Sequence, residues 1–433
     1  MYFKLCFSAA VLTLLFCGSF FSVDAQTQIQ PGQVLISELR LAGEAGVEDE
    51  YIEIYNNTSS DIIVQATDTT SGWAVVLNNG QITGAIFVIP NGTRIPARGH
   101  FLGANINGYS LSEYPSGNPS ILNGNAKTPN GITPGPFPGT TPNATWDFDV
   151  PGDLTLGLAL FSTTNGLAWN AATRLDAFGM VNAPALFREG TGYPTAPVTQ
   201  TLVRDMRTPA GFPKDTNDNA ADFLLLSDGG RTGTVGPGEL LGAPGPENLN
   251  SPVTGVHLLK AALLDPIAGS TSPPNQERRP NVEPNASLGV LFIRRRIVNN
   301  GTAPITRLRF RVINVTGPGS DNTCGAALCS DVRVLSSEDA EAGSPNIGVV
   351  TVRGLTLEQP PVQPNGGGFN SSLSANSINL QTPLAPGASI NVHFKLGVMR
   401  GGAFRLLINF ESQDVPQIPA KPNRLANRSR RDQ

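Results

Sequence analysis

Charged side chains are scarce in this sequence, and so are the motifs that usually carry catalysis. Asp, Glu, Lys and Arg make up 15% of the 433 residues, against about a quarter in average soluble domains. The formal net charge of -4 is too small to indicate a nucleic-acid or membrane partner for the whole chain. The three histidines, His100, His257 and His393, stand apart, and no H-E-x-x-H, G-x-S-x-G or phosphate-binding glycine loop is present. The sequence therefore predicts no enzyme, although a Ser/His/Asp triad assembled by the fold stays open because triads are recognised by geometry.

Long apolar runs are also missing, except at the N-terminus. There Lys4 provides a short positive region, residues 5–21 an apolar core, and Val23-Asp24-Ala25 a small-residue cleavage pattern. We predict a signal peptide over residues 1–25, cleaved after Ala25, and an exported protein that is secreted, periplasmic or at the cell surface. The alternative is an uncleaved anchor, because the apolar run is almost long enough to span a bilayer. No later segment is apolar enough, so the mature chain is predicted to lack a transmembrane segment.

Cysteine is rare as well, with four residues in the chain. Two of them lie in the predicted signal peptide, which leaves Cys324 and Cys329 in "DNTCGAALCSD". An even pair in an exported chain predicts a disulfide, and such a small closed loop stabilises by roughly 2 kcal/mol in the chain-entropy model. A zinc site or a redox pair is the weaker alternative, because two cysteines alone do not complete a zinc site and the spacing is not C-x-x-C.

Turn-forming residues are abundant, with 47 glycines and 36 prolines. They separate short apolar runs such as "QVLISELRL", "DEYIEIYN", "GWAVVLNNG" and "GAIFVIPNG", in which "NNG" and "PNG" are typical of hairpin turns. No helix-period stretch of useful length interrupts these runs. The sequence therefore predicts an all-β fold.

Local composition divides the chain into two predicted domains, a linker and a tail. The first strand series covers residues 32–252, and its Pro-, Gly- and Asn-rich stretch at 104–145 predicts a long surface excursion between strands. A Pro-rich linker is predicted at 253–285. A second strand series at 286–413 has the spacing of a small antiparallel sandwich. The basic tail at 414–433 has no apolar pattern and is predicted to be disordered.

The first series resembles a lamin tail domain of the kind found in exported bacterial proteins. The matching pieces are "VLISELRL", "DEYIEIYNNTSSDIIV", "GWAVVL" and "FVIPNGTRIPARGHFLGAN", followed by "LDAFGMV", "TLVRDMRTPAGFPKDTNDNAADFLLLS" and "LGAPGPENLNSP". The resemblance implies an immunoglobulin-like β-sandwich that acts as an interaction surface and carries no catalytic residues of its own. Bacterial members often accompany extracellular nucleases and phosphoesterases, but nothing in this chain resembles such a partner. The second series is similar only in general terms to a fibronectin-type or Ig-like module, so we expect two immunoglobulin-like sandwiches in series.

The acidic stretch "EDEYIEIYNN" at residues 48–57 could be a catalytic cluster or a strand. In a strand, side chains alternate between faces, so Ile52 and Ile54 seek the core and Tyr51, Glu53 and Tyr55 form a half-exposed face. The carboxylates are then divided between the two faces and the preceding turn. A general acid/base pair needs two carboxylates that face one bond. We therefore interpret this stretch as a strand.

A second polar stretch, "KDTNDNAADF", places oxygen ligands at alternate positions, as the start of a Ca²⁺ loop does. The candidate ligands of this structural Ca²⁺ site are Asp215, Asn217, Asn219 and Asp222. Ala220 stands where an EF-hand requires glycine, and Leu226 where it requires the bidentate glutamate. The alternative is a turn whose Asx side chains bind the local backbone. No other cofactor is predicted.

The stretch "FIRRRIVNNGTAPITRLRFRV" has the most unusual charge pattern. Arg307, Arg309 and Arg311 alternate with apolar residues on one strand face, and Arg294 and Arg296 are expected on a neighbouring strand of the same hairpin. Facing like charges destabilise a sheet, so anions must lie nearby. These could be Glu338, Asp339 and Glu341 of "SSEDAE", the partner domain, or an anionic ligand such as a polysaccharide, lipid headgroup or nucleic acid.

We therefore predict an exported, non-enzymatic binding or structural protein, whose partners would be an anionic polysaccharide or another surface protein. The alternative is a metal-dependent extracellular phosphoesterase or nuclease, or its accessory module, that uses the Asp215 region. A third hypothesis is a structural spacer or adhesin stalk.

Overall fold

A computed structural model of the protein describes residues 28–112, 140–229, 235–255, 258–320, 328–359 and 362–414. The regular secondary structure of the described residues is almost entirely β-strand, which confirms the predicted all-β class. Their strands, in chain order, are β1 Val34–Arg40, β2 Tyr51–Asn56, β3 Ile62–Ile63, β4 Gly72–Asn78, β5 Thr83–Pro90, β6 Arg94–Ile95, β7 His100–Asn105, β8 Ala144–Trp146, β9 Gly157–Phe161, β10 Arg174–Gly179, β11 Thr201–Arg204, β12 Phe223–Ser227, β13 Glu239–Leu241, β14 Val253–Thr254, β15 Leu259–Leu263, β16 Gln276–Arg279, β17 Val290–Asn299, β18 Ile305–Val315, β19 Asp331–Leu335, β20 Ala340–Ser344, β21 Gly348–Val352, β22 Thr356–Leu357, β23 Ser372–Ser374, β24 Ser389–Arg400 and β25 Leu406–Asp414.

The first half of the chain forms two sheets, which we call the N-terminal sheet pair. One sheet has the order β13-β12-β11-β1-β2-β7-β8 and the other β10-β9-β4-β5. Alternate side chains of both sheets meet in one apolar core, to which Ile36 and Ile54 contribute from the first sheet and Trp73 and Leu160 from the second. This packing is sandwich-like, as the alternation of apolar residues predicts.

The second half forms the C-terminal sheet pair, with orders β14-β25-β18-β23-β22 and β15-β17-β24-β19, and with β16 paired to β17. Its core is separate from the first and includes Phe310 and Val312 of one sheet and Val392 and Phe394 of the other. Three of these strands, β14, β15 and β16, fall within residues 253–285. The segment predicted as a linker is therefore part of this sheet pair, because its short apolar runs complete two sheet edges.

The arginine-rich stretch does not form a hairpin, which corrects our expectation. Strand β17, with Arg294 and Arg296, pairs with β15, β16 and β24, whereas β18, with Arg307, Arg309 and Arg311, pairs with β23 and β25. The "NNG" turn thus passes the chain from one sheet to the other across the core. Side chains of β17 and β18 that both face away from the core therefore point in opposite directions.

Helical structure is slight in the described residues. It comprises α1 at Asn219–Asp222 and two 3-10 turns, Gly166–Ala168 and Ala185–Phe187. The described helices include none with the length and apolar character needed to cross a membrane. The predicted signal peptide, most of the 104–145 stretch and the basic tail lie outside the described residues.

The stretch at residues 48–57 contains β2, as predicted. Its predicted half-exposed face is instead buried, because other parts of the chain cover it. Tyr51 packs with Tyr109 and Leu111, which follow β7 in the stretch we expected to lie on the surface. Glu53 is only 4% exposed, since the C-terminal sheet pair lies against this face.

Candidate functional site

The acidic residues of the 48–57 stretch each have their own partners and do not converge. Asp49 forms a buried ion pair with Arg40 and accepts hydrogen bonds from the amide and hydroxyl of Ser110, at 3.0 and 2.8 Å. Glu50 accepts hydrogen bonds from Asn105 Nδ2 at 2.8 Å, from Trp146 Nε1 at 3.2 Å and from the amide of Val150 at 2.8 Å. Burial outweighs these donors and raises the pKa of Glu50 to about 7.

Glu53, the third of these acids, belongs to a buried ionic cluster between the two sheet pairs. This interface cluster consists of Glu53, His100, Glu247, Arg309, Arg311 and Glu411, all less than a tenth exposed. Arg309 and Arg311 lie two residues apart on β18, so their side chains share the face that points towards the N-terminal sheet pair. The anion that the arginine pattern required is thus supplied by the chain itself.

Glu247 lies at the centre of the interface cluster. Its Oε2 is 2.7 Å from His100 Nδ1, and its Oε1 is 3.2 Å from Arg311 Nη2 and also contacts Arg309 Nη2. The backbone amide of Glu247 donates to Glu53 Oε2 at 2.7 Å. Glu247 therefore links β2 and β7 of the N-terminal sheet pair to β18 of the C-terminal sheet pair.

Glu411 binds the two guanidinium groups from the other side. It lies directly opposite Arg309 in the β18–β25 register, and Arg311 Nε donates to its Oε1 at 2.6 Å. Burial acts to raise the pKa of Glu411, but Arg309 and Arg311 outweigh it and leave that pKa lowered. The two arginines thus lie between Glu247 and Glu411: they pair ionically with Glu247 and donate charge-assisted hydrogen bonds to Glu411.

Residues 242–252, which we call the connector, lie between the last strand of the N-terminal sheet pair and the first strand of the C-terminal sheet pair. The first part of the connector has little side-chain bulk, so the two sheet pairs can pack closely together there. Its sequence "GAPGPENLNSP" is buried from Gly242 to Asn248. A Cβ on Gly245 would lie 2.3 Å from Arg311 Nη1, so no larger residue fits there without displacing the guanidinium. The amide of Gly245 also donates to Glu38 Oε1 at 2.8 Å.

Further contacts extend the interface on both sides of the cluster. Asn370, in the C-terminal sheet pair, donates from Nδ2 to Glu38 Oε2 at 3.0 Å and accepts from Arg311 Nη1 at 2.7 Å. An apolar cluster formed by residues of both sheet pairs extends the interface further: Val203, Met206, Leu226, Ile313 and Phe369. A cavity of about 40 Å³ remains beside the interface cluster, enough for one or two water molecules.

Titration of the interface cluster is governed by burial. Desolvation raises the pKa of Glu53 to about 7, and it lowers the pKa of His100. Three carboxylates therefore face two guanidinium groups and an imidazole that resists protonation. Near neutral pH, Glu53 is therefore close to its own pKa, whereas the lowered pKa of Glu411 keeps that carboxylate ionised.

A second buried ion cluster surrounds Arg204 of β11, which is fully buried. Its Nη2 lies 2.9 Å from both carboxylate oxygens of Asp176 and 3.6 Å from Glu189 Oε2. Its Nη1 lies 3.6 Å from Asp215 and 3.5 Å from Asp222. Burial raises the pKa of Glu189 to about 8. Arg204 is thus shared by four acids, and Arg174 and Lys214 add positive charge near Glu189 and Asp222.

The four predicted Ca²⁺ ligands do not point at one position. Asn219 accepts from the amides of Gly179 and Glu189, at 2.8 and 2.9 Å, and donates to Ala177 O at 2.9 Å. Asp222 instead accepts from the amide and hydroxyl of Thr216, at 2.7 and 2.6 Å.

Asn217 is exposed with φ of 57°, and Asp215 is a neighbour of Arg204. Asp222 thus holds the local backbone, as the turn alternative predicts, whereas Asn219 binds backbone groups 30 to 42 residues away.

Two groups of the described residues have ligand atoms within 4.8 Å of one another, as a metal would require. They are Glu53, His100 and Glu247, and Asp176, Glu189 and Asp215. Each group already contacts a buried guanidinium, from Arg309 and Arg311 in the first and from Arg204 in the second. These cations supply positive charge at both groups, and the second group includes Asp215, one of the predicted Ca²⁺ ligands.

The remaining predicted site residues lie elsewhere. Arg294 is buried on β17, where it pairs with Glu277 and donates to Pro274 O at 3.0 Å. Arg296 is half-buried, and its Nε lies 3.4 Å from Asn391 Oδ1. Cys329 is buried. Cys324 lies outside the described residues, so their disulfide stays a prediction.

Comparison with known proteins finds no family model, no curated protein and no solved structure that matches this chain. The resemblance to lamin tail domains therefore stays a prediction, and residue roles rest on the geometry above. Sequence reasoning missed the interface cluster as a set, because Glu53, Glu247 and Glu411 belong to three distant segments. The usable signal was the arginine alternation, for which the partner domain was one of the proposed anion sources.

Proposed function

We propose that this chain is an exported, non-enzymatic interaction or structural protein, built from a lamin-tail-like and a second immunoglobulin-like sandwich that act as one rigid unit. The observation that carries the proposal is the ion pairing of Glu247 with Arg309 and Arg311 in the buried space between the sheet pairs. Breaking a buried ion pair leaves an uncompensated charge, which resists relative motion of the two parts.

The burial and pairing of the potentially reactive side chains support a non-enzymatic role. A catalytic acid or base needs access to a substrate. Glu53, His100 and Glu247 instead contact other residues of the chain in a buried interface, and the Asp215 region surrounds a guanidinium. Binding would then use exposed loops and sheet edges on a rigid frame.

Two assays on the purified mature chain test this role. The first measures binding to an array of glycans and anionic polysaccharides, and the second measures hydrolysis of bis(p-nitrophenyl) phosphate with Ca²⁺, Mg²⁺ or Mn²⁺. We expect binding to at least one surface polymer and no turnover above the buffer rate. Metal-dependent hydrolysis that Asp176→Asn abolishes without loss of folding would overturn the proposal in favour of the phosphoesterase alternative.

A charge reversal separates binding from spacing. Arg296 is the member of the predicted arginine set that keeps partial exposure, so Arg296→Glu changes a surface charge without entering the interface cluster. If the polymer binds at β17, this variant weakens binding. If no polymer binds to either protein, the structural spacer is the remaining role of the rigid unit.

A further inference from the structure

A cavity of about 360 Å³ opens at one edge of the C-terminal sheet pair, between β16 and the turn at residues 401–404. Its volume falls in the range of small-molecule sites, about 300 to 1,000 Å³. Leu291, Val332 and Val398 line it with apolar surface, and all three belong to the buried core. Phe404 also lines the cavity and is 37% exposed. The three core residues are only 2 to 6% exposed, so the apolar surface that this edge cavity offers a small molecule includes the ring of Phe404.

An unpaired hydroxyl lies in the wall of the edge cavity. Ser330 is only 3% exposed, and its Oγ has no hydrogen-bond partner among the described residues. A buried hydroxyl without a partner destabilises a protein, so such groups call for a specific explanation. A polar atom of a bound molecule would satisfy it.

A cation without a carboxylate partner borders the same cavity. Arg278 is exposed, and in the described part of the chain its contact is a hydrogen bond from Nη2 to Leu288 O at 2.8 Å. Glu277 also lines the cavity, but Arg279 and Arg294 already pair with its carboxylate. The guanidinium of Arg278 thus keeps donors available for an anion, and its planar fork suits a carboxylate.

Strand register places this cation beside the apolar wall. Arg278 lies opposite Leu291 in the β16–β17 pair, and paired residues of a sheet share a face. Arg279 lies opposite Val290, and its guanidinium packs 5.0 Å from the ring of Phe292 instead. Arg278 therefore borders the cavity, whereas the adjacent Arg279 does not, so Arg279 offers a matched control for substitutions at Arg278.

The turn that closes the cavity depends on a glycine. Gly402 has φ of 149°, and a Cβ there would lie 2.2 Å from Leu328 O and 2.8 Å from Ser330 N. Only glycine allows the turn to lie this close to the Ser330 backbone. The position of the free hydroxyl is therefore built into the fold.

We propose that the edge cavity binds a small amphipathic carboxylate, with its carboxylate on Arg278 and Ser330 and its apolar chain against Leu291, Val332 and Val398. This site is separate from the interface cluster and independent of the interaction role proposed above, which concerns macromolecular partners. A medium-chain carboxylate combines the negative charge and the apolar surface that the cavity matches.

Isothermal titration calorimetry of the full mature chain with octanoate tests the site. We expect saturable binding at one site per chain, weakened about tenfold by Arg278→Gln because a charge-assisted contact is lost. The matched control Arg279→Gln should bind within about twofold of the unchanged protein. Ser330→Ala should weaken octanoate binding while leaving the empty protein at least as stable, since it removes an unpaired hydroxyl.

Three results would contradict the proposal. The first is no binding heat with octanoate up to millimolar concentrations. The second is equal affinity of the Arg278→Gln and Arg279→Gln proteins, which would place the anion elsewhere. The third is equally tight binding of octanol, which would show that the cavity selects apolar surface without the carboxylate. Far-ultraviolet circular dichroism of each variant establishes that its fold is retained.

Discussion

Arg309, in the middle of β18, forms a buried ion pair with Glu247, which lies beyond the last strand of the N-terminal sheet pair. The two side chains are 1% and 4% exposed, so neither keeps access to solvent. Glu247 also contacts His100 of β7. A single carboxylate thereby links both sheet pairs, and the stability of each half depends on the other.

Replacing Glu247 tests this dependence. Glu247→Gln leaves the guanidinium groups of Arg309 and Arg311 with one carboxylate fewer in a buried site, which we expect to cost about 3 to 5 kcal/mol of unfolding free energy. Urea unfolding followed by tryptophan fluorescence and circular dichroism measures the loss. We also expect one cooperative transition in the unchanged protein and two in the variant.

The control for this substitution is the surface pair of Arg94 and Asp61, whose side chains are 62% and 39% exposed. Arg94→Gln should cost less than about 1 kcal/mol, because solvent screens an exposed pair. Equal losses for Arg94→Gln and Glu247→Gln would contradict a special role for the interface.

Glu50 predicts a pH dependence of stability. Its pKa rises from 4.5 to about 7 on folding, so the folded protein binds a proton that the unfolded chain releases. This contribution is fully present below pH 4.5 and is lost as the pH rises through about 7.

Glu50→Gln resembles the protonated side chain and removes this titration. The unfolding free energy of the unchanged protein, relative to the variant, should therefore fall by about 3 kcal/mol from acidic to mildly alkaline pH. Urea unfolding of both proteins across this range measures the difference. A constant difference between them would mean that the folded and unfolded states bind this proton equally.

Asn219 and Asn217, two of the predicted Ca²⁺ ligands, should respond differently to substitution. Asn219→Ala removes the acceptor of two buried amides and should cost about 3 kcal/mol of unfolding free energy. Asn217→Gly should change it by less than about 1 kcal/mol, because glycine accepts the positive φ at this exposed position. Thermal unfolding with and without calcium distinguishes the two roles: ligands of a calcium site would both matter, and only when the ion is present.

Cys324 and Cys329 should form a disulfide in the exported protein. Mass spectrometry of peptides from the unreduced protein should show them linked, and reduction should lower the unfolding free energy by roughly 2 kcal/mol. Alkylation of both cysteines before reduction would show that they are free thiols.

Local pattern was sufficient to predict strand β2. The alternation of "YIEIYN" placed Ile52 and Ile54 in the core, because alternate residues of a strand face opposite sides and only one side was apolar. The same pattern could not show that Tyr51, Glu53 and Tyr55 are buried too. Their cover comes from Tyr109, far along the chain, and from the C-terminal sheet pair.

The sequence of the arginine-rich stretch did not determine which strands pair with β17 and β18. "NNG" favours a tight turn, and the sequence on either side suits a hairpin, yet β17 and β18 belong to different sheets. A turn signal states that the chain reverses and not which strand becomes the hydrogen-bonded neighbour. Partner choice follows from the packing of complete sheets, and that packing moved Arg309 and Arg311 into the interface.

The sequence by itself determined the all-β class, the positions of strands such as β1, β2 and β4, and the need for anions beside the arginines of β18, since these follow from side-chain alternation and like-charge repulsion between neighbours. Only the tertiary structure decided that Glu247 and Glu411 supply those anions and that Arg204 occupies the predicted calcium region. Burial of charge is a long-range property: a carboxylate reaches its guanidinium only after both sheet pairs have excluded water from the space between them.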